Sequence, residues 1–234
     1  MSAIIAELSA ATGSVPVRIP IGSLLLSGKL FVPENARGLV IVANGDGDHI
    51  YDRGNAEVAS YLADSGFASL LIDLLTPLER VEDAETSALR FNQALLARRI
   101  VKLTVWARSQ AALRDLQIGY FASGPCADAA LAAAGVSRLA RAVVCRGAQV
   151  DGETIPPGGC SDVLFLVGAR DTAHMRDGHE AIARLPASAT LYVVPDAGHA
   201  LEEPAARLRV AHLAEDWFAW TLDPQLYDRN AFVC

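Results

Sequence analysis

Short apolar runs recur along the chain, at residues 38–43, 68–73, 116–121, 140–145 and 163–167. A run that is apolar at nearly every position has no solvent face, so each reads as a strand buried on both sides. Stretches of helical character lie between most of them: around Ala56 to Leu62, at 87–112, and through the alanine-rich 129–134. Further helices are expected at 177–185 and 204–220, with one more strand at 190–194. Alternating strands and helices predict an α/β chain with a mostly parallel central sheet and helices on both faces. Two earlier strands, 15–19 and 22–32, have no helix between them and predict an antiparallel edge. At 234 residues, 52% of them hydrophobic, the chain fits one domain over 1–234. Residues 1–37 then carry the edge strands, and 221–234 form a tail.

Charge and cysteine content narrow the function. The net charge is −7 and the 20 Lys and Arg are scattered, which excludes a nucleic-acid-binding face. The four cysteines, Cys126, Cys145, Cys160 and Cys234, form no Cys-x-x-Cys pair, so neither a zinc knuckle nor a redox dithiol is expected. The start has no basic segment before an apolar one, and no apolar run reaches the roughly 18 residues of a membrane span. The expectation is a cytoplasmic protein acting on a small molecule, without membrane, nucleic acid, metal or cofactor, and with a homodimer as one possible assembly.

In open parallel sheets, ligands bind outside the carboxyl ends of the strands, so the loops there carry the chemistry. Asn44-Gly45-Asp46-Gly47-Asp48 follows the strand at 38–43, and Asp73-Leu74-Leu75-Thr76-Pro77 follows the next. Arg90-Phe91-Asn92 and Val144-Cys145-Arg146-Gly147 come later, then Val167-Gly168-Ala169-Arg170-Asp171 and Val194-Pro195-Asp196-Ala197-Gly198-His199. Together these pieces resemble the dienelactone-hydrolase-like branch of the α/β-hydrolases, from about residue 38 to residue 220. The Asp-Leu-Leu-Thr-Pro piece is similar to a bacterial subgroup of small lidless members. The resemblance implies a lidless α/β-hydrolase fold and a triad that ends in Asp171 and His199.

The chain departs from that subgroup at two places. Asn44-Gly45 stands where His-Gly is usual, and Ala122-Ser123-Gly124-Pro125-Cys126 stands where Gly-x-Ser-x-Gly is usual. The central position of the nucleophile turn is therefore Gly124. Ser123 sits one residue early and Cys126 two residues late. Either is a candidate displaced nucleophile; alternatively neither is, and Cys126 is a small buried residue. Pro125 has no N–H to offer a developing oxyanion, which is the usual task of the residue after the nucleophile.

Asp171 can accept Nδ1–H from a histidine and hold its tautomer, or it can cap the helix that starts at Thr172. His199 alone among the five histidines has the loop context of a general base. His174 is a pocket-lining candidate because it follows Asp171 closely. Asn44, Gly45 and Asp46 fall in the loop that supplies the second oxyanion donor. Asp46 is also a candidate base, or a group that holds a cationic or hydroxylated substrate. Arg53 and Arg146 stand near strand ends, where either can pair with a carboxylate.

Three functions follow as expectations. The first is hydrolysis of a small ester, lactone or related carbonyl metabolite by Asp171, His199 and a displaced Cys126 or Ser123. The second is a lyase, isomerase or cyclase in which His199 and Asp46 move protons with no covalent nucleophile. The third is a ligand-binding pseudoenzyme.

Overall fold

The computed structural model describes residues 13–45, 53–147, 161–176, 182 and 189–223. Its strands are β1 (Val15–Ile21), β2 (Leu24–Phe31), β3 (Leu39–Asn44), β4 (Ala68–Asp73), β5 (Ile118–Ser123), β6 (Ala140–Arg146), β7 (Asp162–Gly168) and β8 (Ala189–Val194). They form one eight-stranded sheet in the order β1-β2-β4-β3-β5-β6-β7-β8. As predicted, β1 pairs antiparallel with β2, and β2 pairs antiparallel with β4. All later neighbours are parallel. Gly22, at φ +65°, closes the β1–β2 turn.

The helices are α1 (Arg53–Asp64), α2 (Pro77–Thr86), α3 (Gln93–Ser109), α4 (Cys126–Ser137) and α5 (Pro204–Leu222). The strands β3, β4 and β5 are buried at every residue, which explains their unbroken apolar sequence. Alternate residues of each strand enter two cores. Ile41, Leu70, Tyr120 and Val143 join Leu96, Ile100 and Leu103 of α3 and the alanines of α4. Val42, Leu71, Phe121 and Val144 join Val58 and Leu62 of α1 and Val210 and Phe218 of α5.

One helix differs from the sequence-based expectation. The helix expected over 87–112 is α3, which begins only at Gln93, and a helix that was not expected, α2, precedes it across a tight connection. The start of α2 is a capping box: Thr76 Oγ1 accepts from Glu79 N–H, and the Glu79 carboxylate accepts from Thr76 N–H. Pro77 at the first helical position suits this start. The connection folds around Asp83, which has no exposed surface and accepts from the N–H groups of Leu89 and Arg90 and from the Arg90 guanidinium. The helix expected at 177–185 lies outside the described residues, apart from Ile182.

Burial pushes the Asp83 carboxyl up, but its bonds from Arg90 and Leu89 outweigh burial, and it ends below the ordinary value of 3.8. A carboxyl held lower in the folded chain than in the unfolded chain stabilises fully above the unfolded value. That contribution is lost as pH falls through the folded value. Stability measured by urea unfolding should therefore drop below about pH 4, and Asp83→Asn should flatten that drop. At neutral pH, Asp83→Ala should cost about 1–3 kcal/mol, because buried N–H groups lose their acceptor. An unchanged midpoint would show that the connection satisfies those groups another way.

Candidate active site

The sheet order sets where a ligand can sit. From β3 the chain goes to β4 on one side and then to β5 on the other, so the direction reverses between β3 and β5. The crevice at such a reversal lies outside the carboxyl ends of the two strands. Asn44-Gly45 ends β3 there, and Gly124-Pro125 ends β5.

Gly124 takes φ +51° between the last residue of β5 and the start of α4. A left-handed residue joining a strand directly to a helix is the geometry of a nucleophile turn. The residue at its apex has no side chain. Pro125 follows at the N-cap of α4 and brings no N–H.

The two neighbouring nucleophile candidates fall on opposite faces of the sheet. Ser123 is buried and accepts from Asn55 Nδ2 of α1 at 3.2 Å. Cys126 is fully buried in the core shared with α3 and α4. Its Sγ lies so close to the backbone of Gly45 that a Cβ there would overlap it. Burial and the charge of Asp128 push the other core thiol, Cys145, well above its ordinary value.

Ser123 belongs to a polar row that the sequence did not reveal. Asp73, Asn44, Ser123 and Arg146 are the last residues of four adjacent strands, β4, β3, β5 and β6. Asn44 is paired in register with Asp73, and Ser123 with Arg146. All four are buried; Asn44, Ser123 and Arg146 meet the start of α1, and Asp73 accepts from Arg80 of α2 at 2.8 Å. Asn55 of α1 donates to Asn44 Oδ1 as well as to Ser123. Arg146 extends its guanidinium against Gly54, where a Cβ would overlap Nη1. Arg53, the first residue of α1, is exposed. A clue was present in the sequence: an asparagine among the apolar positions of a helix. Asp46 lies outside the described residues.

Asp171 and His199 meet. Asp171 Oδ2 lies 2.7 Å from His199 Nδ1. The Asp171 side chain is 8% exposed and that of His199 is 48% exposed, so the carboxylate is sheltered and the imidazole reaches solvent. Asp171 also caps the helical turn at 172–176, with its Oδ1 accepting from His174 N–H at 3.3 Å. Both roles read from the sequence are thus compatible with one side chain. A second histidine joins it: His174 Nδ1 is 2.7 Å from Asp171 Oδ1. The rings of His174 and His199 stack with centroids 4.2 Å apart. Burial pushes the Asp171 carboxyl up, but hydrogen bonds from His174 and His199 outweigh it and leave it below its ordinary value. Asp171, His174 and His199 also bring three donor atoms within 4.8 Å of one another, a spacing that suits one metal ion.

Glycines fix the height of the His199 loop. A Cβ on Gly147 would sit 2.6 Å from the carbonyl oxygen of His199, and one on Gly168 would overlap the carbonyl oxygens of Ala197 and Gly198. Asp196 and Leu201, both at φ +54°, bend the loop at its two ends. Glu203 accepts from Gly198 N–H at 3.0 Å and pairs with Arg170.

The sheet order and the helices on its two faces define an α/β-hydrolase fold. No family model matches the sequence. A dienelactone hydrolase from Anabaena variabilis is similar over 90% of this chain and 98% of its own, at 36% identity and a TM-score of 0.85. The chain belongs to the dienelactone hydrolase family of the α/β-hydrolases. A dienelactone-hydrolase-like promiscuous phosphotriesterase from metagenomic libraries shares the fold at a TM-score of 0.72 and 16% identity, over 90% of this chain and 98% of its own. Proteins of two Mycobacterium tuberculosis strains, provisionally named phosphoribosyl transferases, are 39% identical over 209 residues. That match takes in 86% of this chain but 45% of theirs, so the chain spans about half the length of the curated relatives it matches. No helix among the described residues is long and apolar enough to cross a membrane.

Proposed function

We propose that this enzyme hydrolyses a small ester, lactone or thioester by general-base activation of water at His199, with Asp171 orienting the imidazole and no acyl-enzyme formed. The observation that carries this reading is Gly124 at the apex of the nucleophile turn, at φ +51°. A residue without a side chain supplies no attacking oxygen and leaves space beside the crevice. Ser123 is engaged with Asn55, and Cys126 is fully buried against Gly45, which favours a packing role for both. The Asp171–His199 bond supports retained acid–base chemistry, because such a bond fixes Nε2 as the basic nitrogen.

A second reading keeps Cys126 as the nucleophile. It is favoured by the position of Cys126 as the first residue of α4 and by the contact of its Sγ with Gly45. A helix start favours a thiolate. Brief iodoacetamide labelling of the native protein distinguishes the two readings. The water-activation reading expects Cys126 to label no faster than Cys145, and Cys126→Ala to keep its turnover of small lactones. Fast labelling of Cys126 that substrate prevents would instead support the thiol.

Restoring the hydroxyl gives a further test. Gly124→Ser should still lack a burst with p-nitrophenyl acetate, because Pro125 continues to withhold the oxyanion donor. Loss of one such donor costs about 10²–10³-fold in turnover. A stoichiometric burst in that variant would mean that the site makes its oxyanion contact elsewhere. A burst in the wild-type chain would overturn the acyl-free reading itself.

A further inference from the structure

The Asp171 carboxylate divides its oxygens between two imidazoles. Oδ2 bonds His199 Nδ1 and Oδ1 bonds His174 Nδ1, each at 2.7 Å. An ionised carboxylate only accepts, so both Nδ1 atoms carry the hydrogen. Each ring is then left with Nε2 for other work, on the edge away from Asp171. The rings stand 28° from parallel at 4.2 Å and share one anchor, so they present their Nε2 edges side by side. His174 is held further by its own backbone, whose N–H also reaches Asp171 Oδ1. Orienting His199 requires only one oxygen of the carboxylate.

We propose that His174 is a second acid–base residue of this site, giving up a proton to the leaving oxygen while His199 takes one from water. The proposal rests on the acyl-free reading above. In an acyl-enzyme mechanism, one histidine serves the two half-reactions in turn. When water attacks directly, both proton movements belong to one encounter. The water oxygen bonds to the carbonyl carbon as His199 Nε2 removes a water proton. The bond from that carbon to the leaving oxygen breaks, and that oxygen takes the Nε2 proton of His174 imidazolium. One water is consumed; an acyclic ester releases a carboxylic acid and an alcohol, and a lactone opens to a single hydroxy acid. The proton gained by His199 returns to His174 through solvent.

This division of labour specifies a substrate class. Protonation of the leaving oxygen matters when it departs as an alkoxide and matters little when it departs as a stable phenolate. The pair therefore suits lactones and alkyl esters over activated aryl esters.

The test compares δ-valerolactone with p-nitrophenyl acetate in the wild type, His174→Asn and His174→Ala. Asparagine can still donate a hydrogen bond to Asp171 but cannot transfer a proton. The expected result is a loss of about 10²-fold on the lactone in both variants. That loss should exceed the loss on the aryl ester at least about tenfold. Equal losses on the two substrates, or rescue of lactone turnover by asparagine, would reduce His174 to a positioning residue and overturn the proposal. Carbethoxylation by diethyl pyrocarbonate, read by mass spectrometry, tests the Nε2 atoms directly. His199 should react in the wild type, and His174 should react once raising the pH removes the proton from its Nε2. A His174 that stays unmodified at every pH while His199 reacts would overturn the proposal even if neither ester is turned over. The chemical modification thus separates failure of this proposal from failure of the hydrolytic reading. Titration with Zn²⁺ closes the metal alternative. Tight binding that vanishes in His174→Ala would make the cluster a metal centre and overturn the acid–base assignment.

Discussion

His199→Ala is expected to lower turnover of a small lactone by about 10²–10⁴-fold, the usual cost of losing a general base. The loss should fall on kcat, because the imidazole acts on the water proton in the transition state and contributes little to holding the substrate. The fold should survive, since the His199 side chain is half exposed and its loop is fixed by backbone contacts at Gly147 and Gly168. Asp171→Asn tests the same bond from the other end. An amide at Asp171 can offer a hydrogen to Nδ1 and favour the wrong tautomer, turning Nε2 from base to donor. Steady-state kinetics with circular dichroism on each variant checks both parts. A folded His199→Ala protein with full activity would sink the acid–base reading, and with it the role given to His174.

Much of this arrangement was legible in the sequence, for physical reasons that differ between its parts. The parallel strands were clear because a strand buried on both faces must be apolar throughout, as at Val40, Ile41 and Val42. The start of α2 was written in Thr76-Pro77-Leu78-Glu79, a capping box with proline at the first helical position, yet the helix was expected only from residue 87, because α2 buries no apolar residue and so carries no apolar face to read. Asp171 and His199 were legible because each ends a strand-and-loop piece with a specific pattern. His174 was seen only as a neighbour of Asp171. Its spacing becomes meaningful once 172–176 is a helical turn, which brings residue 174 back over the capping carboxylate. The polar row of Asp73, Asn44, Ser123 and Arg146 needed the strand order, because its members are up to about a hundred residues apart in the chain and adjacent only across the sheet. The same holds for Gly147 and Gly168. Nothing in the sequence says which backbone will approach them.

The second large effect is expected at Gly168, which touches no substrate. It ends β7, just before the segment that carries Asp171, and the loop bearing His199 crosses directly over its Cα. A methyl group there would overlap two carbonyl oxygens, those of Ala197 and Gly198. These are backbone atoms, so no rotamer change relieves the clash. Gly198 N–H donates to Glu203, and Ala197 C=O accepts from the N–H of Arg170, the residue before Asp171, so the loop is tied down in its present position. Gly168→Ala must therefore lift or tilt the loop relative to β7, and Asp171 stays with β7. The 2.7 Å bond between Asp171 and His199 is the contact most exposed to that shift. A displacement of about 1 Å at a catalytic group can cost about 10²-fold. The expected result is a folded protein with kcat about 10²-fold lower and a nearly unchanged KM. Its His199 ring should also lose the downfield Nδ1 proton resonance that a bond to a carboxylate gives. Gly66→Ala is the control. Gly66 is a left-handed glycine at the end of the α1–β4 turn, where a Cβ would meet only the side chain of Arg37, so it should cost stability and leave the site intact. If Gly168→Ala kept both the resonance and the rate, the loop would be free to rise as one piece with Asp171, and the close approach at Gly168 would be packing alone.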